Sequence, residues 1–457
     1  MGVDMAPGFH ALPLPLAQLS LAAVLKCGQS FRWSIHPLVF SPTPDPEAPS
    51  HEYRLCLRDR VVCLRQTPDT LYWKHVLPTS VADATAAKEK EAETLAWLRD
   101  YFQLDVDLLD LYSDWSARDP VFARLRERFE GIRMLRQDPW ENLVSFICSS
   151  NNNIGRITKM VKGLCTHFSK PLLSLPLPTP VGVQAPPTPG PTPEVSPEME
   201  TFYPFPSPSR LAQPDATSAM RSLGFGYRAD YIQKTARMLD DAHSCTPSSS
   251  TGTREPAEVW LETLRTLPTD DARTELLQFM GVGRKVADCV LLMSLDKREV
   301  IPVDTHVHQI AIKHYGAKGS LAAKQALSPK MYDEIAAKLV GVWGEYAGWA
   351  HSVLFTADLK SFASYGLTTP SPTPVRIART ASTVSLGGEE DALPSPPLPV
   401  STSTVQKRKR VRSEVSTELV EETNTNAAIA LLESDVSLAD RVKRRRRVAS
   451  AMSRGHG

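Results

Sequence analysis

Apolar and polar side chains alternate in the first part of the chain. Tyr53, Leu55 and Leu57 alternate with Arg54, Cys56 and Arg58, and Val61-Val62-Cys63-Leu64 follows across Asp59-Arg60. A period of two around a short polar break predicts an antiparallel hairpin, and residues from Leu12 to Pro78 read as β-rich. Pro42 to Pro49 reads as a loop between strands. Before it stands Cys27-Gly28-Gln29-Ser30-Phe31-Arg32-Trp33, read either as a glycine turn entering a strand or as a carbonyl offered to a planar ligand.

From about Glu91 the period lengthens to that of a helix. Leu95, Leu98, Tyr101 and Phe102 share one stripe, and Phe122, Leu125 and Phe129 share another. Asp138-Pro139-Trp140-Glu141 combines an acidic cap, a proline at the first helical position and a glutamate at the third, and so predicts a helix start. That helix continues through Val144, Ile147 and Cys148. Ser149-Ser150-Asn151-Asn152-Asn153 interrupts it before a helix from Ile154 to Phe168. Residues 170–212 are rich in Pro, Ser and Thr without periodicity, which predicts a disordered insertion. Helical spacing resumes at about Ala219, and Gly224-Phe225-Gly226-Tyr227-Arg228 precedes a helix bearing Ile232, Ala236 and Leu239. Met331 to Leu339 and Tyr346 to Phe355 close the body.

The densest signal runs from Thr274 to Gln309. Leu276, Leu277 and Phe279 finish one apolar helix, Met280-Gly281-Val282-Gly283 turns, and Arg284 to Leu295 forms the next. Gly281 and Gly283 are expected to permit positive φ and close backbone approach. The second helix then presents free N–H groups and its positive dipole end, an anion site suited to phosphate. The fold class expected is α+β: a β-rich N-terminal domain at residues 1–120, an all-α helix-hairpin-helix body at 121–365, and a disordered tail at 366–457.

Composition changes this picture only in detail. The 457 residues carry a net charge of +1, and the tail from Gly366 holds 14 Lys+Arg and 10 Asp+Glu, leaving 38 and 41 before it, a net of −3. A body of that charge must gather positive potential locally to hold nucleic acid. The seven cysteines (Cys27, Cys56, Cys63, Cys148, Cys165, Cys245 and Cys289) include no C-x-x-C pair. A reducing compartment is expected, with neither disulfides nor a metal or other cofactor. No run approaches the roughly 18 apolar residues of a membrane span, and no basic region precedes Pro13-Leu14-Pro15-Leu16 as in a signal peptide. A soluble intracellular protein without a membrane partner is expected. Lys407-Arg408-Lys409-Arg410 and Lys443-Arg444-Arg445-Arg446-Arg447 predict recognition by nuclear import receptors, hence a nuclear location, with a share in mitochondria left open.

Candidate chemistry centres on two residues. Lys285 falls in the first turn of the second hairpin helix, where the dipole favours the free amine. Asp304 follows 19 residues later, after Ile301-Pro302-Val303, at the N-cap position of the next helix. Alone, the lysine is equally a phosphate contact and the aspartate a structural cap; together, behind a Gly-x-Gly hairpin, they favour chemistry. Three asparagines at a helix junction serve as caps or read base edges. Tyr227 with Arg228 on a glycine-flanked loop suits a half-buried turn or a wedge in a base stack.

The hairpin with Lys285 and Asp304 resembles the helix-hairpin-helix DNA glycosylases. Gly28-Gln29-Ser30-Phe31-Arg32-Trp33, Ser149-Ser150-Asn151-Asn152-Asn153-Ile154 and Tyr346-Ala347-Gly348-Trp349-Ala350 narrow the resemblance to the eukaryotic 8-oxoguanine DNA glycosylase/AP lyase family, over most of residues 12–362. It implies a monomeric enzyme acting on double-stranded DNA that contains oxidised guanine. In that family a lysine amine, here Lys285, attacks C1′ of a flipped nucleotide, and an aspartate, here Asp304, stabilises charge on the sugar. The resemblance further implies that the Gly28 carbonyl meets the N7–H of the lesion. Cys289 and Phe355 sandwich the base, and Met293 and Pro302 complete its pocket. Asn151, Arg156 and Arg228 contact the orphaned cytosine, with Tyr227 as wedge. Gly281 and Gly283 contact the backbone, as do His306 and Asp358, paired near a phosphate. The chain departs from the family at His351, where animal members carry glutamine at the base edge, and at Met280, where proline is usual. Endonuclease III-like enzymes share the hairpin but usually carry a four-cysteine cluster that this chain lacks. A non-catalytic hairpin module would need neither Lys285 with Asp304 nor a base pocket.

Overall fold

In the computed structural model, which describes residues 8–38, 48–78, 84–178, 198–243, 254–319 and 327–367, the alternating stretch forms a five-stranded antiparallel sheet. Its strands are β1 (His10–Pro13), β2 (Ser34–Pro37), β3 (His51–Cys56), β4 (Val61–Gln66) and β5 (Thr70–Val76), in the order β1-β5-β4-β3-β2. The register pairs Tyr53 with Leu64 and Leu55 with Val62. Helix α1 (Leu21–Val24) and helix α2 (Ala84–Tyr101) close that face with Leu21, Val24, Leu98 and Tyr101.

The other face is not solvated, and here the expected insertion needs correction. Residues Leu173–Pro176 (β6) and Met199–Phe202 (β7) pair as an antiparallel ribbon. Phe202 joins Cys56, Val61 and Cys63 in a small core. Arg54 donates to the Pro176 carbonyl at 2.8 Å, and His36 meets Glu200 at 2.8 Å. Glu52, fully buried, is held ionised by Arg54 and Arg65, whose charges outweigh the burial that opposes them. Composition suggested disorder across 170–212 because each arm is only four residues long and its apolar side chains, Leu173, Leu175 and Phe202, find their partners on the distant sheet. Residues 179–197 and the tail with its basic clusters lie outside the described residues.

Thirteen further helices are described. They are α3 (Leu108–Arg118), α4 (Pro120–Leu125), α5 (Pro139–Ile147), α6 (Ile154–Phe168), α7 (Pro208–Leu211), α8 (Ala216–Ser222), α9 (Arg228–His243), α10 (Pro256–Thr263), α11 (Thr269–Leu277), α12 (Arg284–Ser294), α13 (Thr305–Tyr315), α14 (Pro329–Trp343) and α15 (Ala347–Asp358). The caps read from sequence are in place: Asp138 accepts from the Glu141 N–H at 2.9 Å and Asn153 from the Arg156 N–H at 3.0 Å. None of the described helices is long and apolar enough to cross a membrane.

Two cores divide the helices. One gathers α5, α6, α8, α9, α10, α11 and α12, and the other gathers α3, α4, α13, α14 and α15. Met293, near the end of α12, packs against both. The boundary expected at residue 120 therefore falls inside one core, because Tyr112 and Trp115 of α3 pack with Phe122 of α4. Arg32 ties the sheet domain to the body through a two-pronged ion pair with Glu141, at 2.8 and 2.7 Å.

Candidate active site

Helix α12 begins bare. Its N-cap is Gly283, which offers no side-chain oxygen, and Gly283 and Arg284 are exposed. The first N–H groups of the helix are thus available to an anion. Only one of the two hairpin glycines needs positive φ. Gly281 has φ +80°, and a Cβ there would run into the ring of Tyr231 on α9. Gly283 is extended at φ −95°, with open space where a Cβ would stand. Thr235, also on α9, donates to the Met280 carbonyl at 3.0 Å and braces the turn. Leu277, expected to be apolar packing at the end of α11, is 42% exposed, because the helix stops there and Phe279 enters the core instead.

Lys285 is half-buried between α12 and the end of α5. Its Nζ lies 3.4 Å from Ser149 Oγ and 5.0 Å above the Phe146 ring. Lys285, Cys289 and Met293 fall four residues apart on one helical stripe. Burial pushes the Cys289 thiol up to about 11, opposed by Lys285, so the thiol stays protonated at neutral pH.

Asp304 caps α13, its Oδ1 accepting the N–H groups of His306 at 2.9 Å and Val307 at 3.0 Å. Both bonds fall on one oxygen. The preceding Pro302 is buried and has no N–H to satisfy. His351 of α15 is buried, and burial drops its imidazole to about 4; Asp304 pulls it up and Lys285 pushes it down. Neither ring nitrogen makes a hydrogen bond of normal geometry, although the Gly348 backbone weakly favours the proton. Phe355 lies 6.0 Å from the His351 ring and 5.8 Å from that of His306. His306 Nδ1 meets Asp358 at 3.3 Å, so these two residues do pair. Residues from both helical cores thus meet at one seam.

A second cluster stands at the start of α6 and α9. Asn151 is exposed with φ +46°, and Arg156 is exposed and donates to the Gly224 carbonyl at 3.2 Å. Tyr227 is 46% exposed, its hydroxyl 3.2 Å from the Ser150 carbonyl. Arg228 is drawn inward. It is 3% exposed, and its guanidinium binds the carbonyls of Ser150 and Asn151, the latter at 3.1 Å. It braces the asparagine loop, because five donors in a fork suit converging carbonyls. Gly28 has φ +91°, and a Cβ there would stand 2.9 Å from Ile154 Cδ1, so the turn abuts the first residue of α6. Its neighbour Gln29 is buried, accepting the Leu135 N–H at 2.9 Å and donating to the Arg133 carbonyl at 3.1 Å. A cleft of about 330 Å³ near the start of α5, lined by Arg32, Trp97 and Arg254 among others, contains none of the expected site residues.

Sequence reasoning missed Phe146, Tyr231 and Thr235. Each reads as ordinary helix packing, and only the fold brings it against the hairpin or the lysine. Ser149 was visible as part of the polar break but not as a neighbour of Lys285.

Two family models match the chain. One, 8-oxoguanine DNA glycosylase, N-terminal domain, covers residues 11–143; the other, HhH-GPD superfamily base excision DNA repair protein, covers residues 144–331. The N-glycosylase/DNA lyase of Saccharomyces cerevisiae is 33% identical over 372 residues, spanning 78% of this chain and 87% of that protein. The N-glycosylase/DNA lyase OGG1 of Arabidopsis thaliana is 35% identical over 353 residues, spanning 77% and 81%. Among solved structures, the apo 8-oxoguanine glycosylase/lyase of Clostridium acetobutylicum matches with a TM-score of 0.53 at 25% identity, over 74% of this chain and 93% of that one.

Proposed function

This chain belongs to the 8-oxoguanine DNA glycosylase family of helix-hairpin-helix base-excision repair proteins, and from that premise we propose that it excises 8-oxoguanine opposite cytosine through a covalent Lys285 intermediate. It is a bifunctional enzyme, a DNA N-glycosylase and AP lyase. The observation that carries the finer reading is the seam itself: a half-buried lysine in the bare first turn of α12, with Asp304, Cys289 and His351 in electrostatic reach.

A duplex hides C1′, so the damaged nucleotide must turn out of the stack into the seam. The Lys285 nitrogen lone pair then forms a bond to C1′ as the bond from C1′ to N9 breaks, and that electron pair leaves with the base. One amine proton passes to the departing base and the other to the ring oxygen as the C1′–O4′ bond breaks, giving an imine. Loss of a C2′ proton then expels the 3′ phosphate by β-elimination. Asp304, with one oxygen committed to the helix cap, stabilises positive charge on the sugar. Cys289 and Phe355 would flank the base, with Met293 and Pro302 around it. The bare hairpin helix, together with His306 and Asp358, would hold the backbone.

Selectivity needs one proton. 8-Oxoguanine donates from N7, whereas guanine presents a lone pair there. A carbonyl at Gly28 would accept from the first and oppose the second, a difference of roughly 1–3 kcal/mol in a water-poor site. Asn151 and Arg156 would read the orphaned cytosine, with Tyr227 wedged beside it. The enzyme acts as a monomer and reaches the nucleus through import receptors that bind the tail clusters, a reading supported by sequence alone.

The deciding experiment is borohydride trapping on a duplex with 8-oxoguanine opposite cytosine. Lys285→Gln is expected to bind the duplex yet release no base and form no adduct. Undiminished trapping by that variant would remove Lys285 from the chemistry.

A further inference from the structure

Lys285 and Asp304 stand on different elements, and the chain between them leaves α12 at Ser294 and runs without helix or strand from Leu295 to Asp304. Their relative placement depends on what ties residues 301–304 back to α12. Tyr332 of α14, only 6% exposed, makes such a tie. Its hydroxyl accepts the Val303 N–H at 3.0 Å and donates to Asp288 Oδ2 at 2.7 Å. Asp288 sits on α12 one turn beyond Lys285 and is 1% exposed. Arg273 Nε of α11 binds its other oxygen at 2.8 Å, and Arg284 Nε lies 3.3 Å from Oδ2. Three helices thus converge on the backbone just before Asp304.

The arrangement admits one orientation. The Val303 N–H can only donate, so the phenol oxygen accepts from it and its own proton is left for the Asp288 carboxylate. Burial, and then the Asp288 charge, hold the Tyr332 phenol far above its ordinary range, so its single proton is retained. That proton goes to Asp288, which leaves a lone pair for Val303. Val303 is 1% exposed and Pro302 has no N–H, so the Val303 amide is the last buried donor before the cap. Without the hydroxyl that amide would be orphaned, and the segment could relieve this only by moving. The Arg284 guanidinium lies 5.0 Å over the Tyr332 ring and packs the aromatic body in place.

We propose that Tyr332 is a positioning residue for base release: by bridging Asp288 and Val303 it sets the Asp304 carboxylate against Lys285. The role rests on the catalytic assignment of that pair.

The test is a double-mutant cycle on the full chain, read as single-turnover release of 8-oxoguanine at saturating enzyme. Asparagine caps helices as aspartate does, so Asp304→Asn removes the charge and keeps the helix start. Tyr332→Phe is expected to slow release about 10- to 100-fold with duplex affinity unchanged, the scale expected of a small misplacement. In the Asp304→Asn background the same change is expected to add nothing, because Tyr332 acts through Asp304. Equal losses in both backgrounds, or a wild-type rate for Tyr332→Phe, would overturn the proposal. If Tyr332→Phe melts below the assay temperature, Asp288→Asn enters the same cycle with the same two outcomes. Lys285→Gln separates the premises. Adduct formation by that variant overturns the lysine assignment itself, whereas its loss together with additive Tyr332 effects overturns only the positioning role.

Discussion

Held neutral by burial, the imidazole of His351 brings one donor and one acceptor to the seam. That is the inventory of a glutamine amide in a shorter side chain, which makes the departure from the animal pattern chemically conservative. His351→Gln is expected to keep excision, and His351→Ala to lose roughly 1–3 kcal/mol of transition-state binding by leaving base-edge groups unpaired. Equal rates for all three residues would take position 351 out of the pocket. The depressed pKa also has a stability consequence with a definite sign. Unfolded His351 takes up a proton near 6.5, whereas the folded protein resists until about 4, so the unfolded state binds more protons in that window. Stability from this group is full above 6.5 and falls as pH drops towards 4, by about 1.4 kcal/mol for each unit. Thermal melting without DNA should therefore show wild type losing stability faster than His351→Gln between those values. Lys285 and Asp304 were legible as residues because position on a helix end is local. The neutrality of His351 was not, since it depends on what α12 and α13 put around the ring.

Among the elements, the loop from Ser149 to Asn153 depends on a helix more than seventy residues away. Arg228 at the start of α9 binds two of its carbonyls, and Tyr227 lies 4.6 Å under the guanidinium. Arg228→Lys should loosen the loop, because one ammonium cannot fork across carbonyls as a guanidinium does. A loss of roughly 1–3 kcal/mol in stability is expected, with faster hydrogen exchange at the amides of residues 149–153. Wild-type exchange there would show that the loop does not depend on the guanidinium. The Tyr-Arg pair was visible in sequence, but its direction was not: Gly224 and Gly226 allow the turn, and the carbonyls that capture Arg228 belong to another element. The insertion arms repeat the lesson. Glu200 meets His36 across the sheet edge, and a polar contact over that sequence distance leaves no period to read.

For the molecule as a whole, every expected site residue lies before position 359, and the last described segment packs back on the body. The Tyr365 hydroxyl is 2.8 Å from Ser20 Oγ, and Arg128 holds the carbonyls of Tyr365 and Phe362. A chain stopped after Leu367 should therefore keep base excision at moderate salt while losing nuclear accumulation, with a shallower dependence of DNA affinity on salt. Loss of excision in that truncation would mean that the body is not the whole enzyme. The seam itself lies where two helical cores meet, and Met293 packs against both. Amino-acid order alone determined the α+β class, the hairpin, and the caps at Asp138, Asn153 and Asp304. All of these follow from periodicity and short-range hydrogen bonding. Only the tertiary structure decided that α3 joins the second helical core, that the sheet is covered on both faces, that Arg228 turns inward, and that Tyr332 links Asp288 to the backbone before Asp304. Each of those is a contact between buried polar or apolar groups distant in sequence, and the choice of partner is made by packing, which no local pattern encodes.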